Sequence, residues 1–264
     1  MLKPNDRIAL ALSGGKDSVS LLHIMRRLEE SFPQSKMVAI TIDEGIASYR
    51  SEAVEIAEEN CEKLDVEHRV YSFKKLYGYT LDEIADSAKQ KDKPFICSYC
   101  GILRRKALNV SAKELEATNL VTAHNLDDEV QSMLMNLIRG DMTSMSRGED
   151  DLVREGLVPR VKPLCEVPER EVALYAFLKK IRFQSLPCPY LETSLRSDVR
   201  RFLNMLESKH PGIKFTVYKS FEKMLSRMKL SEERSLGSCR ICGEPAARDI
   251  CMACQTLKDL GLIQ

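Results

Sequence analysis

Short segments of strand character alternate with amphipathic segments over the first 140 residues of the chain. The strand-like segments are four to six residues long and cover 7–12, 37–42, 67–72 and 120–123. The amphipathic segments repeat apolar residues at the three- and four-residue spacing of a helix and cover 17–32, 51–64 and 128–139. This alternation predicts an α/β fold, in which a parallel sheet carries helices on both faces.

The pattern changes after residue 140. Residues 140–156 are polar and rich in Gly, Ser and Asp, which predicts a mobile loop. Helices are expected over 168–181, 194–206 and 215–228. The resulting regions are a main α/β domain over 1–190, a basic helical extension over 191–230 and a small C-terminal zinc ribbon over 231–264.

The 264-residue chain is 44% hydrophobic with a net charge of only +1, as in an ordinary globular protein. No apolar run reaches the roughly 18 residues of a membrane span and no signal peptide is present, so a cytoplasmic protein without a membrane partner is expected. Positive charge is local: residues 89–106 hold six Lys/Arg and one acid, and residues 196–229 hold nine and three. Such segments suit a phosphate backbone, although solvated helix faces are an equal alternative for either segment alone.

The first chemical motif is the string SGGKDS, which joins a predicted strand to a predicted helix. Backbone N–H groups at a helix N-terminus attract phosphate, and glycine lets the backbone come close to it. The string lacks the Gly-x-x-x-x-Gly-Lys-Ser/Thr pattern of a Walker loop. It nevertheless predicts an anion site built from Ser13, Gly14, Gly15, Lys16, Asp17 and Ser18.

Polar residues also follow other predicted strands. Asp43 comes directly after Ile42, and His124 follows the fourth predicted strand. Because ligands bind outside the carboxyl ends of parallel strands, these residues should lie near the SGGKDS loop. Asp127 and Asp128 suit Mg²⁺ binding or proton transfer, with helix N-capping as the alternative for one of them.

The chain has nine cysteines and no secretion signal, which argues against a disulfide framework. Cys97 and Cys100 form a C-x-x-C pair and Cys188 lies in a proline-flanked loop; the residues alone suit a 4Fe-4S cluster with one open iron and a zinc ion equally well. Cys61 is expected in the core, and Cys165 is assigned no role. Four C-terminal cysteines have the spacing of a structural zinc site, with disulfides as the alternative: Cys239, Cys242, Cys251 and Cys254.

The string SGGKDS resembles the pyrophosphatase loop of the N-type ATP pyrophosphatases, which include GMP synthetase, tRNA-lysidine synthetase and the tRNA thiolation enzymes. Residues 122–129 resemble the second nucleotide motif of these enzymes, and residues 42–50 resemble the segment that frames the adenosine in the tRNA 2-thiolation branch. Cys97-Ser-Tyr-Cys100-Gly, the basic Arg104 and the later Cys188 are similar to the motifs of the tRNA 2-thiouridine and 2-thiocytidine synthetases. The resemblance covers nearly the whole chain and is closest to the archaeal and eukaryotic cytoplasmic branch.

This resemblance implies a tRNA sulfurtransferase. ATP would adenylate the 2-oxygen of a tRNA uridine, at the wobble position, and sulfur carried by a 4Fe-4S cluster would replace that oxygen. The implied catalytic residues are Lys16, Arg104 and Asp128 together with the cluster ligands Cys97, Cys100 and Cys188. ATP and Mg²⁺ would be bound at Ser13, Gly14, Gly15, Lys16, Asp17, Ser18, Ile42, Asp43, His124 and Asp127.

The implied partners are tRNA, a second copy of the chain, and either sulfide or a ubiquitin-like sulfur carrier. Family members usually carry another zinc module ahead of the first strand, and residues 1–6 contain no cysteine. Two interpretations stay open: this subfamily lacks the module, or the module lies ahead of residue 1.

Two alternatives stay open. One is another N-type ATP pyrophosphatase acting on tRNA, of the 2-thiocytidine or lysidine type. The other is a non-catalytic RNA-binding protein that senses ATP. The set of three cysteines speaks against a lysidine-type ligase, and the intact Lys16-Asp17 pair speaks against a sensor.

Overall fold

The structure is a computed structural model that describes residues 3–32, 34–93, 95–141, 156–190, 195–227 and 236–264. Its centre is a five-stranded parallel sheet with the order β3-β2-β1-β4-β5. The strands are β1 (Arg7–Ala11), β2 (Lys36–Asp43), β3 (Glu67–Ser72), β4 (Asn119–Val121) and β5 (Arg160–Val161). Helices cover both faces, so the predicted α/β class is confirmed.

Helices connect the strands and extend the fold beyond the sheet. They are α1 (Lys16–Glu29), α2 (Arg50–Leu64), α3 (Phe73–Tyr77), α4 (Leu81–Gln90), α5 (Ile96–Glu114), α6 (Leu126–Ile138), α7 (Glu169–Leu178), α8 (Leu195–Lys209), α9 (Ile213–Arg227) and α10 (Met252–Asp259). Two further short strands, β6 (Gly237–Ser238) and β7 (Pro245–Ala246), pair in antiparallel fashion.

Strand β1 lies in the middle of the sheet because it is apolar on both faces. Leu10 is fully buried among residues of α1, α2 and α7. Its neighbour Ala9 faces the other side, where residues of α3, α4, α5 and α10 form a second apolar cluster. The strand order reverses between β1 and β4, and ligands of open α/β sheets bind at the crevice that such a reversal leaves at the carboxyl edge.

Helices α8 and α9, in the predicted basic extension, pack against α6. The apolar cluster between the three helices contains Leu126, Val130, Val199, Leu203 and Tyr218. These helices therefore share a separate apolar cluster with α6.

The C-terminal cysteine region also shares its core with the sheet. Ala253, Leu257 and Leu260 belong to the same apolar cluster as Ala9. The Tyr79 hydroxyl donates to the Leu262 carbonyl at 2.8 Å, which ties the region to the segment before α4. The division into three regions stays a prediction.

The structure differs from the sequence pattern in several elements. Helices α3, α4, α5 and α10 and the short strand β5 were not predicted from the apolar pattern. The expected mobile loop falls largely on residues 142–155, which lie outside the described residues. Among the helices described, none combines the length and apolar character needed to span a bilayer.

Candidate active site

The SGGKDS loop leaves the carboxyl end of β1 and enters α1, as predicted. Gly14 adopts a φ of +85°, a left-handed conformation that glycine takes without strain. A Cβ added to Gly14 would lie 2.5 Å from the carbonyl oxygen of Ala53 in α2, so a side chain has no room. The Gly14 carbonyl accepts a hydrogen bond from the Gln184 N–H at 2.9 Å. The loop is thereby held between α2 and the segment that follows α7.

Two serine hydroxyls brace the loop from inside. The Ser18 Oγ accepts the Ser13 N–H at 3.1 Å and donates to the Gly15 carbonyl at 2.9 Å. The two serine Oγ atoms lie 3.0 Å apart. The start of α1 therefore presents hydroxyl and N–H groups in a fixed arrangement, which suits a phosphate.

The Lys16 ammonium is engaged by two carboxylates. Its Nζ lies 2.8 Å from Asp17 and 2.7 Å from Glu169, at the start of α7. Burial by itself lowers the pKa of Lys16, but the hydrogen bonds to Asp17 and Glu169 outweigh it and the pKa is raised. Glu169 also binds Arg200 of α8, with both of its oxygens 2.9 Å from Nη2. Lys16 thus stays charged, and it must leave these carboxylates to reach a phosphate.

Arg50, the first residue of α2, joins the loop to β2. Its Nη1 donates to the Ser13 carbonyl at 2.7 Å, and its Nε and Nη2 donate to the Ile42 carbonyl at 3.0 and 2.6 Å. The arginine is buried. It therefore fixes the phosphate loop relative to Ile42, the residue expected to frame the adenosine.

Glu44, which sequence reasoning did not single out as a site residue, lies between two arginines. Its Oε2 is 2.7 Å from Arg50 Nε, but that N–H is directed at the Ile42 carbonyl, so the contact is an ion pair without an aligned hydrogen bond. Its Oε1 is 3.6 Å from Arg104 Nη1. Asp43, next to it, accepts the Gly45 N–H at 2.8 Å and shapes the turn after β2.

His124 is exposed to the cleft beyond β4. Its Nδ1 lies 2.9 Å from the Thr122 Oγ1. Desolvation by the surrounding protein, followed by the charges of Lys162 and Arg160, lowers the pKa of His124 to about 4. The imidazole is therefore neutral at physiological pH and acts as a hydrogen-bonding group.

Asp128 lies in the first turn of α6. Its Oδ2 accepts the Asn125 N–H at 3.3 Å, and the Asn125 Oδ1 accepts the Asp128 N–H at 3.1 Å, so the two residues form a capping box. Desolvation raises the pKa of Asp128 to about 6, and the charge of Asp17 adds to the effect. A carboxylate with this pKa takes up a proton readily near neutral pH.

Asp127 has both oxygens engaged by other helices. Its Oδ2 accepts the Glu169 N–H at 2.8 Å, and its Oδ1 pairs with Lys214 of α9. Both side chains of this pair are buried, and Lys214 also donates to Asn204 at 2.7 Å. Asp127 therefore joins α6, α7 and α9; its expected contact with the nucleotide stays a prediction.

A cleft of about 520 Å³ opens at the carboxyl edge of the sheet, between β1, β2 and β4. It brings together several predicted site residues: Ser13, Asp17, Ser18, Ile42, Arg104 and His124. Its far wall is formed by residues that sequence reasoning did not assign to the site, among them Arg105, Met133, Arg160, Lys162, Phe221 and Leu225.

The three cysteines expected to hold a cluster converge beside this cleft. Cys97 and Cys100 lie at the start of α5, and the Cys97 thiol donates to the carbonyl of Tyr190, two residues after Cys188, at 2.8 Å. Burial raises the pKa of the Cys100 thiol to about 12; Arg104 acts against this rise, and the neighbouring Cys188 and Cys97 add to it. Arg104 follows Cys100 by one helical turn, and it links the cysteines to the cleft.

The donor set fits a cluster better than a single ion. Sulfur atoms around one tetrahedral zinc lie about 3.8 Å apart, given Zn–S bonds of roughly 2.3 Å. Among the described residues, the sulfurs of the cysteines at 97, 100 and 188 do not all lie within 4.8 Å of one another. Three thiolates with a wider spacing suit a four-iron cluster, in which each thiolate binds a different iron.

The four C-terminal cysteines form a second, compact thiol site. The sulfurs of Cys239, Cys242, Cys251 and Cys254 all lie within 4.8 Å of one another. The N–H of Cys251 donates to the Cys239 sulfur at 3.3 Å, as in a metal knuckle. Lys106 of α5 places its Nζ 3.1, 3.8 and 3.6 Å from the sulfurs of Cys242, Cys251 and Cys254. The set fits one tetrahedral metal ion, whose excess negative charge the lysine would offset.

Comparison with known proteins agrees with this geometry. A family model described as a PP-loop domain matches residues 2–206. The tRNA 2-thiolation protein NcsA of Haloferax volcanii is 36% identical, over 95% of this chain and 81% of that protein. The cytoplasmic tRNA 2-thiolation protein 1 of Dictyostelium discoideum is also 36% identical, over 98% of this chain and 72% of that protein.

This chain belongs to the tRNA 2-thiolation family of PP-loop proteins. The solved structure of the U34-tRNA thiolase NcsA from Methanococcus maripaludis, with its 4Fe-4S cluster, is 34% identical and matches with a TM-score of 0.85. The match covers all of this chain and 84% of that one. The family resemblance inferred from the sequence motifs is therefore confirmed.

Within this tRNA 2-thiolation fold, the residues that the motifs missed are those distant in sequence from them. Glu169 reaches Lys16 from α7, and Lys106 reaches the C-terminal thiols from α5. Neither has a motif of its own. Of the residues that were missed, only Glu44 could have been found from the sequence, because it lies in segment 42–50, which resembles the family segment that frames the adenosine.

Proposed function

We propose that this protein is an ATP-dependent tRNA sulfurtransferase that converts a tRNA uridine, at the wobble position, to 2-thiouridine. The observation that carries the proposal is the position of Arg104. Its side chain lines the same cleft as Ser13 and Ser18, while its helix holds Cys100 about one turn earlier and Cys97 about two turns earlier. The phosphate loop lines this cleft and the cysteine set lies next to it, with Gly101 and Arg104 on the wall between the two. A reaction with both an adenylation and a sulfur-transfer step needs the two sites close together.

Binding of ATP uses the loop in its present shape. The N–H groups and hydroxyls at the start of α1 bind the β- and γ-phosphates, and Lys16 exchanges its two carboxylates for phosphate oxygens. The adenosine lies toward Ile42, whose position Arg50 fixes. Asp17, which is close enough to Asp128 for its charge to raise the pKa of that residue, supplies a carboxylate ligand for Mg²⁺ and leaves Asp128 free for proton transfer.

Adenylation joins the uridine 2-oxygen to the α-phosphorus and releases pyrophosphate. The charge that builds up on the phosphate oxygens is stabilised by Lys16 and the loop N–H groups. The attacking oxygen becomes nucleophilic when the uridine N3–H is lost, and the Asp128 carboxylate is the group that accepts this proton.

Sulfur then replaces the activated oxygen. A 4Fe-4S cluster held by Cys97, Cys100 and Cys188 would supply a sulfur carrier with one iron free of protein thiolate. Arg104 lies between these cysteines and the cleft and stabilises the AMP that departs with the former 2-oxygen. The sulfur enters as hydrosulfide and no net electron transfer is needed.

The decisive experiment is anaerobic reconstitution with iron, followed by incubation with ATP, tRNA and sulfide. We expect 2-thiouridine in the digested nucleosides, by mass spectrometry, in equal amount with AMP. The Cys188→Ala variant should still release pyrophosphate when tRNA is present, without forming 2-thiouridine. A lysine adduct, 2-thiocytidine, or full thiolation by Cys188→Ala would each contradict the proposal.

Further proposals concern the sulfur donor, the C-terminal metal, the oligomeric state and the cellular compartment. Sulfide is the donor that the open cleft admits directly, and a thiocarboxylated ubiquitin-like carrier is the alternative, which the same assay separates by adding one donor at a time. A zinc ion is proposed for the four C-terminal cysteines. The homodimer stays a prediction that light scattering would test. Relatives are named cytoplasmic, and we place this protein in the same compartment.

A further inference from the structure

Three arginines lie at the far side of the cleft without an acidic partner in the described part of the chain. Arg105 and Arg160 line its wall, and Arg196 lies beside them, 3.2 Å from the lining residue Ser132. Arg105 belongs to α5, Arg160 to β5 and Arg196 to α8. The other cations near the site are paired: Lys16 with Glu169, and Lys162 with Glu129 at 2.8 Å. Within the described ranges, no carboxylate oxygen lies within 4.0 Å of the three arginines.

Neutral groups hold these arginines in place instead. Arg160 Nη2 donates to the main-chain carbonyl of Arg105 at 3.0 Å. Arg196 donates to the Gln131 Oε1 at 3.3 Å and to the Ser132 Oγ at 3.2 Å. Such contacts fix a guanidinium without cancelling its charge.

The like charges act on one another. Desolvation, and then the charges of Arg104 and Arg196, lower the pKa of Arg105. Desolvation and the charge of Arg105 lower the pKa of Arg160. The arginines remain charged, and their repulsion is a cost that an anion in the cleft would remove.

The position of the group indicates which anion it binds. The phosphate loop lies at the end of β1, whereas Arg160 lies on β5, with β4 between the two strands. The nucleotide phosphates already have Lys16 and the loop N–H groups at their end of the cleft. The wall beside the arginines also contains the apolar side chains of Met133 and Phe221, which suit an unstacked base and offer nothing to a free phosphate.

We propose that Arg105, Arg160 and Arg196 form a binding site for the phosphodiester backbone of the RNA substrate, next to the nucleotide that enters the cleft. The inference rests on the proposed function for the identity of that substrate as tRNA. Guanidinium groups pair with phosphate through two parallel hydrogen bonds, so the site would position the strand and orient the target base toward the α-phosphate of ATP.

The test is equilibrium binding of unmodified tRNA by the full chain, without ATP, over a series of KCl concentrations. The variants are Arg105→Gln, Arg160→Gln and Arg196→Gln. Each should weaken tRNA binding by about 3- to 10-fold and make the slope of log K against log salt shallower by roughly 0.7 to 0.9. The Kd for ATP, measured by calorimetry on the same samples, should change less than about twofold.

Arg7→Gln is the matched control, because Arg7 is an exposed arginine at the opposite edge of the sheet and pairs with Glu116. It should leave both affinities and the salt slope unchanged. Thermal unfolding of each variant shows whether its fold is intact, and Arg→Lys variants, which keep the charge, should retain most of the salt slope.

Two outcomes would overturn the proposal. If the Gln variants lose ATP affinity and keep tRNA affinity, the arginines serve the nucleotide phosphates. If folded variants keep both affinities, the group binds neither. The result is independent of the thiolation assay: wild-type protein that binds tRNA through these arginines yet makes no 2-thiouridine would sustain this site and reject the proposed function.

Discussion

Gly14 and Gly15 are adjacent in the phosphate loop but meet different constraints. Gly14 has a φ of +85° and no room for a Cβ, whereas a Cβ on Gly15 would meet only the Ser13 Oγ, at 3.5 Å. The motif SGGKDS predicts the anion site without distinguishing the two glycines. The distinction arises from Ala53, which lies in a different helix, and so could not be foreseen from the loop itself.

We therefore expect Gly14→Ala to abolish ATP binding, because the loop must move away from α2 to accommodate the new methyl group. Backbone strain of this kind costs on the order of 1–3 kcal/mol, so the melting temperature should fall as well. Gly15→Ala is the matched control and should retain ATP affinity within a few-fold. Calorimetric ATP titration of both variants checks this, and equal losses would show that the close contact with Ala53 is not the cause.

The raised pKa of Asp128 predicts how the rate of AMP formation depends on pH. Its pKa is raised to about 6, so the fraction able to accept a proton increases as the pH rises through 6. The rate of AMP formation should follow the same rise, and Asp128→Asn should remove it together with most of the activity. Asp86→Asn, at an exposed carboxylate on α4, should keep the wild-type profile.

The stability of the folded protein should fall with rising pH, whereas the rate of AMP formation rises. Because folding favours the protonated form of Asp128, its contribution to stability is lost as pH rises from about 4 to about 6. Asp128→Asn should thus gain stability relative to wild type above pH 6 and not below pH 4. Thermal unfolding at both values measures the difference, and a gain that is independent of pH would contradict the raised pKa.

At the scale of elements, helix α5 carries the residues of two thiol sites. Cys97 and Cys100 open the helix, Arg104 and Arg105 face the cleft, and Lys106 reaches the C-terminal cysteines. The motifs located both sets of cysteines correctly in sequence. The helix that joins them was not predicted, because its buried residues are small or polar over long stretches, among them Ala107, Asn109, Ser111 and Ala112.

We expect Lys106→Gln to weaken zinc retention by the C-terminal cysteines. In the proposed zinc site this ammonium group would offset the negative charge of four thiolates around one divalent ion. Loss of a group that contacts the metal ligands typically costs about 10- to 100-fold in metal affinity. Release of zinc to a colorimetric chelator measures the effect. Lys113→Gln is the matched control, since Lys113 lies on the same helix and its Nζ is 3.3 Å from Glu244, without contacting a sulfur. Equal zinc release by the two variants would refute the role of Lys106.

At the scale of the whole molecule, the ion pair of Asp127 and Lys214 joins the sheet domain to the helices of the basic extension. The alternation of strands and helices was sufficient to predict the α/β class, which the structure confirms. It could not predict how the extension docks, since that depends on a buried pair separated by 87 residues. The hydrophobic repeat of a helix indicates which of its faces is buried, but it does not indicate which element packs against that face.

Asp127→Ala should lower the free energy of unfolding by about 3–5 kcal/mol, because it leaves the buried Lys214 ammonium without its partner. Chemical denaturation measures this loss, and the double variant Asp127→Leu/Lys214→Met should recover part of it. If Asp127→Ala keeps its stability and loses only ATP affinity, the residue serves the nucleotide, as the motif predicts.

The packing of α10 on α5 has a consequence for how the protein is made. Lys106 and Cys254 are separated by 148 residues, and the apolar cluster that contains Leu103 also contains Leu257. At translation rates of about 5–20 residues per second, roughly 7 to 30 seconds pass between synthesis of the two segments. During that interval the newly made α5 lacks the helix that covers its apolar face. Chaperone binding to the nascent chain should therefore be strongest between these points, and iron delivered to Cys97 and Cys100 before then would meet a helix not yet held in place.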